Sequence, residues 1–82
     1  MNRIRASCQV ARQLTGKRSW EQAQEMGIPP ATLSHWVSGR YAPTIRNRLM
    51  LSEYYGLHPD EFLGEADEAF VARLHELYKE PA

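Results

Sequence analysis

The sequence has little of what marks several common protein classes. It has one cysteine in 82 residues, so no internal disulfide can form, and this favours a reducing, cytoplasmic setting. Its longest apolar run is the four residues 69–72, which excludes a membrane span, and no signal-peptide core is present at its start. Its formal net charge of zero, taken alone, argues against a polyanionic partner.

Catalytic and metal sites also find little support. Cys8, His35, His58 and His75 do not have the spacing of metal ligands. Ser34 and His35 are adjacent on a predicted helix and point about 100° apart, so they cannot form the bond between a nucleophile and its base. A chain of this length buries only about 60% of its unfolded surface, which disfavours a deep active site. We therefore predict no enzyme activity, cofactor or metal.

The zero net charge conceals a division along the chain. Residues 1–48 contain eight of the ten basic residues and two of the ten acidic ones, so their formal charge is +6. Residues 49–82 have the opposite composition and a formal charge of −6. An asymmetry of this kind is more informative than the total, and the amino-terminal half has the charge expected of a surface that binds nucleic acid.

Glycine and proline divide the chain into short helices. Each of the five glycines follows a stretch with helical periodicity, and no segment shows sustained alternation typical of a strand. We predict an all-α fold, a compact bundle of five to six short helices near 2–15, 20–26, 30–38, 45–55, 59–63 and 67–79. Ser19 is expected to cap the second helix with Gln22, and Thr44 to cap the fourth. The predicted core contains Ile4, Cys8, Ala11, Leu14, Trp20, Ala23, Met26, Leu33, Trp36, Val37, Ile45, Leu49, Leu51 and Tyr55.

The second and third predicted helices form a helix-turn-helix unit over residues 19–39. Ala23 is small enough for the two helices to cross closely, and Gly27 permits a left-handed turn between them. The outward face of the third helix carries Ala31, Ser34, His35 and Ser38. It has no acidic residue, whereas a helix that merely faces water usually carries glutamate and lysine. Such a helix fits into the major groove of DNA.

This unit resembles the helix-turn-helix of the Cro and phage-repressor family. The matching residues are Ala23, Gly27, Ile28, Thr32, Leu33, Ser34, Trp36 and Gly39, continued downstream by Pro43, Ile45, Leu49, Leu51, Gly56, Leu57, Asp60, Glu61, Phe62 and Leu63. Arg12 resembles the arginine common near the end of the first helix. The resemblance covers about residues 4–63 and implies a helix-turn-helix domain over 1–64, a double-stranded DNA partner and the third helix as the reading element.

The chain departs from the family pattern at several positions. Gln22 stands where the family usually has leucine, Lys17 where an apolar residue often precedes the cap, and Val37 where glutamate is frequent. Pro29 and Pro30 replace the cap and the polar residue after it. Because a proline side chain cannot hydrogen-bond a base, base readout is expected from Ala31, Thr32, Ser34, His35 and Ser38. The resemblance places phosphate contacts at Lys17, Arg18, Ser19, Arg40, Tyr41, Thr44, Arg46 and Asn47.

The acidic carboxyl-terminal half, residues 49–82, ends in a predicted helix segment over residues 65–82, for which three interpretations are open. In the first, the helix packs on the core of a monomer and exposes its acidic residues to solvent. In the second it forms the seam of a homodimer, and in the third it binds a different protein. We favour the homodimer, with a seam of Phe70, Leu74, Leu77 and Tyr78. The function favoured by the sequence is a cytoplasmic, prokaryotic or phage-encoded transcriptional repressor on a palindromic operator. The alternative is a protein-interaction module, such as an antitoxin or adaptor, whose partner binds the last helix.

Overall fold

This computed structural model describes residues 1–78, which contain five α-helices and one 3-10 turn. The elements are α1 (Arg3–Thr15), α2 (Ser19–Met26), α3 (Pro30–Ser38), α4 (Ile45–Tyr55), the 3-10 turn (Pro59–Phe62) and α5 (Glu68–Tyr78). Within residues 1–78 the only extended pairing is one antiparallel bridge between Asn2 and Glu65. The predicted all-α fold class is confirmed. None of the helices in these residues is long and apolar enough to span a membrane.

Most helix ends follow local signals. The Thr44 hydroxyl accepts a hydrogen bond from the backbone N–H of Asn47 at 3.2 Å, which confirms the cap predicted for α4. Gly27 ends α2 with φ +77°, a left-handed conformation that glycine adopts without a steric cost. Pro30 is the first residue of α3, where its missing N–H has no helical partner to lose.

The predicted cap of α2 is wrong. The helix begins at Ser19 itself, and the residue before it, Arg18, is in the capping position. The Glu21 carboxylate accepts a hydrogen bond from the Arg18 backbone N–H at 2.8 Å, so Glu21 supplies the contact expected from Gln22. The reason is that Gln22 faces the interior, where its amide has other partners.

The core lies where the five α-helices and the 3-10 turn meet. Its fully or nearly fully buried residues include Leu33 and Trp36 from α3, and Leu51 and Tyr55 from α4. The remaining apolar members are Ile4, Ala6, Cys8, Val10, Ala11, Ala23, Leu57, Phe62, Phe70 and Leu74. Cys8 is buried as a small apolar residue, and burial raises the pKa of its thiol.

Four residues expected in the core lie at the surface: Trp20, Leu14, Ile45 and Leu49. Residues of an α-helix turn by about 100° per step, so Leu49 and Leu51 point about 160° apart and cannot both face one core. Leu51 faces it, and Leu49 is 53% exposed. The same geometry separates Trp20 from the buried Gln22, which leaves Trp20 53% exposed. Leu14 lies in the last turn of α1, beside exposed residues 16–18.

The last described helix, α5, packs along α1. Phe70 is 5% exposed and Leu74 is 0% exposed, and the Arg3 guanidinium lies 4.8 Å from the centre of the Phe70 ring. The predicted seam must therefore be corrected at these two residues, because their side chains are already in the core of their own chain. Leu77 is 43% exposed and Tyr78 is partly buried. Lys79, the predicted end of this helix, lies outside the described residues.

Candidate nucleic-acid interface

The outward face of α3 is exposed and free of acidic residues. Ala31, Ser34 and Ser38 are exposed, whereas Thr32 and His35 are partly buried. The His35 ring packs edge-on against the ring of Tyr41, with centroids 5.1 Å apart. The structure thus brings all of the predicted base-reading residues onto one nine-residue helix. The Ser38 hydroxyl already donates to the carbonyl of His35 at 3.1 Å, so it has a partner within the helix.

The inner face of α3 is held by apolar packing. Leu33 and Trp36 are buried in the core, and Ala23 of α2 is buried where the two helices meet. The backbone N–H of Ile28 donates to the Ala23 carbonyl at 3.0 Å across the turn. These contacts hold the angle between α2 and α3, in keeping with the small Ala23 that was expected to let the two helices cross closely. They leave only the outward face of α3 for a partner.

Asn2 fixes the end of α3, a role that sequence reasoning missed. Its side-chain amide donates to the carbonyls of Trp36 and Val37 at 3.1 and 3.0 Å, while its side-chain oxygen accepts from the backbone N–H of Arg5 at 2.7 Å. One side chain therefore starts α1 and satisfies two carbonyls at the end of α3. The only signal in the sequence is a good capping residue before the first helix.

Gln22 is a second residue whose role was missed. Its amide nitrogen donates to the carbonyls of Cys8 and Lys17 at 3.1 and 3.0 Å, and its amide oxygen accepts from the Tyr55 hydroxyl at 2.6 Å. This buried amide joins α2 to α1 and α4. Burial also raises the pKa of the Tyr55 hydroxyl, so it remains a donor. A glutamine where related proteins have leucine was the available signal, because a buried amide requires partners.

The predicted phosphate-binding residues flank α3 in the chain. The exposed ones are Lys17, Arg18, Ser19, Arg40, Tyr41, Thr44 and Arg46, and Asn47 is partly buried. The Arg40 guanidinium lies 5.7 Å from the centre of the Tyr41 ring. Within residues 1–78, no ion pair engages Arg18, Arg40 or Arg46, so these charges are available to an anion. The starts of α2 and α4 add backbone N–H groups of the kind that bind phosphate.

Comparison with known families decides what this arrangement is. A helix-turn-helix family profile matches residues 11–62, which run from the end of α1 through the 3-10 turn. The chain belongs to the Cro and phage-repressor type of helix-turn-helix proteins, which bind DNA. The comparisons with curated proteins and with solved structures returned no significant match.

Among the predicted phosphate-binding residues of this helix-turn-helix protein, Lys17 has an acidic partner within residues 1–78. The Lys17 ammonium forms an ion pair with the Glu25 carboxylate at 2.7 Å, and the hydroxyl of Tyr54 donates to the same carboxylate. The hydrogen bond from Lys17, followed by that from Tyr54, holds the pKa of Glu25 below its usual range. The carboxylate therefore stays ionised at neutral pH and holds the Lys17 ammonium in an ion pair.

Replacing Glu25 with glutamine is expected to strengthen DNA binding several-fold at low salt. The freed lysine would add about one phosphate contact, steepening the dependence of log K on log salt by about 0.9. Fluorescence titrations against a DNA duplex at several salt concentrations measure both quantities. The Lys17→Ala/Glu25→Gln variant is the control, because it also loses the acid but cannot add the contact. Equal slopes in the two variants would show that Lys17 does not reach phosphate.

Replacing Arg40 with alanine, by contrast, should make the dependence of log K on log salt shallower by about one.

Replacing Asn2 with aspartate is expected to loosen α3 while keeping the cap of α1. Aspartate can still accept from Arg5, but it cannot donate to the carbonyls of Trp36 and Val37. The Trp36 carbonyl keeps the backbone N–H of Gly39, but the Val37 carbonyl loses its donor, which costs about 1–3 kcal/mol in the free energy of unfolding. Thermal denaturation followed by circular dichroism measures this loss. Gln9→Glu, which adds the same charge on the exposed side of α1, is the control. Equal melting temperatures for the two variants would contradict the assigned role.

Proposed function

We propose that this protein is a sequence-specific transcriptional regulator, and that it acts as a repressor by placing α3 in the major groove of an operator. The observation that carries the proposal is the exposed, acid-free outward face of α3. Arg18 and Arg40, both exposed, lie close to it in the chain on either side of the α2–α3 unit. A bound protein would block polymerase from the promoter, and the site of action would be the cytoplasm of a prokaryotic cell.

The side chains on α3 suit particular base edges. The Ala31 methyl group can pack on the methyl group of thymine, and a ring N–H of His35 can donate to N7 or O6 of guanine. The Ser34 hydroxyl can donate or accept, so it adapts to either partner. Pro30 has no hydrogen-bonding side chain, so readout is expected to begin at Ala31. Phosphate contacts from the flanking basic residues would set the position of α3 on the duplex.

The distribution of charge favours discrimination over general affinity. The amino-terminal half carries +6 and the remainder −6, so the protein as a whole has no excess positive charge. Non-specific affinity for DNA depends on the number of phosphates that basic residues neutralise. We therefore expect weak binding to random DNA, with α3 supplying most of the preference for the operator.

We further propose that the operator is palindromic and is bound by a homodimer. A symmetric dimer places its two reading helices in successive major grooves about 34–36 Å apart. The Cα atoms span 33 × 24 × 20 Å, so two copies that touch along the longest dimension have centres separated by about this distance.

Selection of bound sequences from random duplex DNA tests this function. We expect a symmetric site whose half-sites are one helical turn apart. His35→Ala and Ser34→Ala should each relax the preference at specific base pairs, by about 1–3 kcal/mol per base pair. His75→Ala is the matched control, because His75 is an exposed histidine on α5. Failure of the unaltered protein to enrich any sequence, or an unchanged preference in both α3 variants, would contradict the proposal.

A further inference from the structure

One face of α4 exposes apolar side chains that its own chain does not cover. Ile45 is 57% exposed and Leu49 is 53% exposed, one helical turn apart. Arg46, Leu49, Met50 and Glu53 follow the spacing i, i+3, i+4, i+7, which places them along one side of a helix. We call these four residues the α4 stripe. At its centre Leu49 is exposed and Met50 is partly buried, and an exposed basic residue and an exposed acidic residue lie at its opposite ends.

Beside the α4 stripe lies a shallow groove between α2 and α4. Its volume is about 220 Å³, and it is lined by Glu25, Met26, Met50, Glu53 and Tyr54. Met50 and Glu53 thus belong to both the stripe and the groove. The exposed Leu49 is the neighbour in sequence of Met50, which lines the groove with Met26 and two acidic residues. The α4 stripe and the groove therefore share two residues and form one continuous surface.

We propose that the α4 stripe is the seam at which a second copy of this chain docks. In an antiparallel pair of α4 helices with a two-fold axis between Leu49 and Met50, Leu49 faces Met50 of the partner subunit. Arg46 then faces Glu53 of the partner subunit, and symmetry repeats each contact, as an interface between identical surfaces requires. The stripe is self-complementary in charge, and its two apolar residues face each other across the axis. This seam deepens the homodimer of the proposed function and replaces the one expected on α5.

The seam also has consequences for strength and for DNA contacts. One face of an 11-residue helix buries less than the roughly 1,200 Å² of a standard interface, so the free dimer is weak. Adjacent half-sites on DNA would raise the effective concentration of the two copies and favour pairing. Arg46, predicted to contact phosphate, is in the seam directed at a carboxylate, so its main effect is on self-association.

Sedimentation equilibrium of the full chain without DNA tests the seam, over about 10 µM to 1 mM, the range of a weak dimer. We expect reversible dimerisation that Arg46→Glu or Glu53→Arg weakens at least about tenfold, because each places two like-charged pairs opposite each other. The Arg46→Glu/Glu53→Arg double variant restores both pairs and should recover dimerisation. Leu49→Lys should abolish it. Leu77→Lys, at a leucine of α5 that is 43% exposed, is the control. These side chains are at the surface, so circular dichroism should show intact folds.

Other results would overturn the seam. They are a monomer at every concentration, a dimer that only Leu77→Lys disrupts, or a double variant no better than the single variants. Because the measurement contains no DNA, it is independent of the function. If the chain selects a symmetric DNA site but does not dimerise through the α4 stripe, the proposed DNA binding is supported and the proposed seam is wrong. If the chain dimerises through the α4 stripe but selects no DNA sequence, the seam is supported and the proposed function as a transcriptional regulator is contradicted.

Discussion

Replacing Leu74 with glutamate is expected to unfold most of the protein, rather than to separate an intact dimer. Leu74 is 0% exposed and packs between α5 and α1. The variant loses the buried side chain, worth about 2–5 kcal/mol, and must either bury a carboxylate or expose it by moving α5. A domain of this length has a free energy of unfolding of only about 5 kcal/mol. Urea denaturation followed by circular dichroism measures the loss.

Leu77→Glu is the matched control for this prediction. It makes the same substitution three residues later on α5, at a side chain that is 43% exposed, so the free energy of unfolding should change by only about 0.5 kcal/mol. The Leu74→Glu variant could instead unfold at the same urea concentration as the unaltered protein and sediment with a lower mass. That result would show that Leu74 lies in a dimer seam. That outcome would also contradict the packing of α5 on α1.

Replacing Ser34 with glutamate is expected to lower operator affinity at least about 100-fold without changing the fold. Ser34 is exposed on the outward face of α3, so the substitution leaves the core untouched. It removes one base contact, worth about 1–3 kcal/mol, and places a carboxylate against the polyanionic duplex. Electrophoretic mobility shift or anisotropy titrations against the selected operator measure the change in affinity.

Ala72→Glu is the control for added negative charge. Ala72 is exposed on α5, which packs along α1, and the substitution changes the net charge by the same amount. Its effect on affinity should be small and should disappear as salt rises. If both variants bound the operator equally well at every salt concentration, α3 would not be the element that enters the groove. Similar melting temperatures for the two variants would confirm that the comparison concerns binding alone.

The helix boundaries were predictable because their causes are local. Gly27 and Gly39 end α2 and α3 in left-handed conformations, and Thr44 caps α4 with its own hydroxyl. Each signal acts within a few residues, so it operates in almost any tertiary setting. The exposed side of α3 was predictable for a related reason. Leu33 and Trp36 share one face of that helix, and burying them turns the polar face outward.

The burial of individual side chains was less predictable, because it depends on which elements meet. On α4, both Leu49 and Leu51 are apolar, and only the position of the core selects Leu51. On α5, the same stripe that suggested a dimer is covered by α1, so Phe70 and Leu74 are core residues. Periodicity identifies an apolar face of a helix, but it does not predict whether that face is buried by another helix of the same chain or by a second chain.

The amino-acid sequence by itself determined the all-α class, the helix-turn-helix unit and the acid-free face of α3, because these follow from spacing, capping and turn residues. Only the tertiary structure decided which distant groups meet. Asn2 reaches the end of α3, Gln22 joins three helices, and Glu25 engages Lys17. These contacts depend on how whole helices pack, so no local sequence pattern predicts them. The same packing decided that α5 covers its own core and that α4 leaves the exposed stripe.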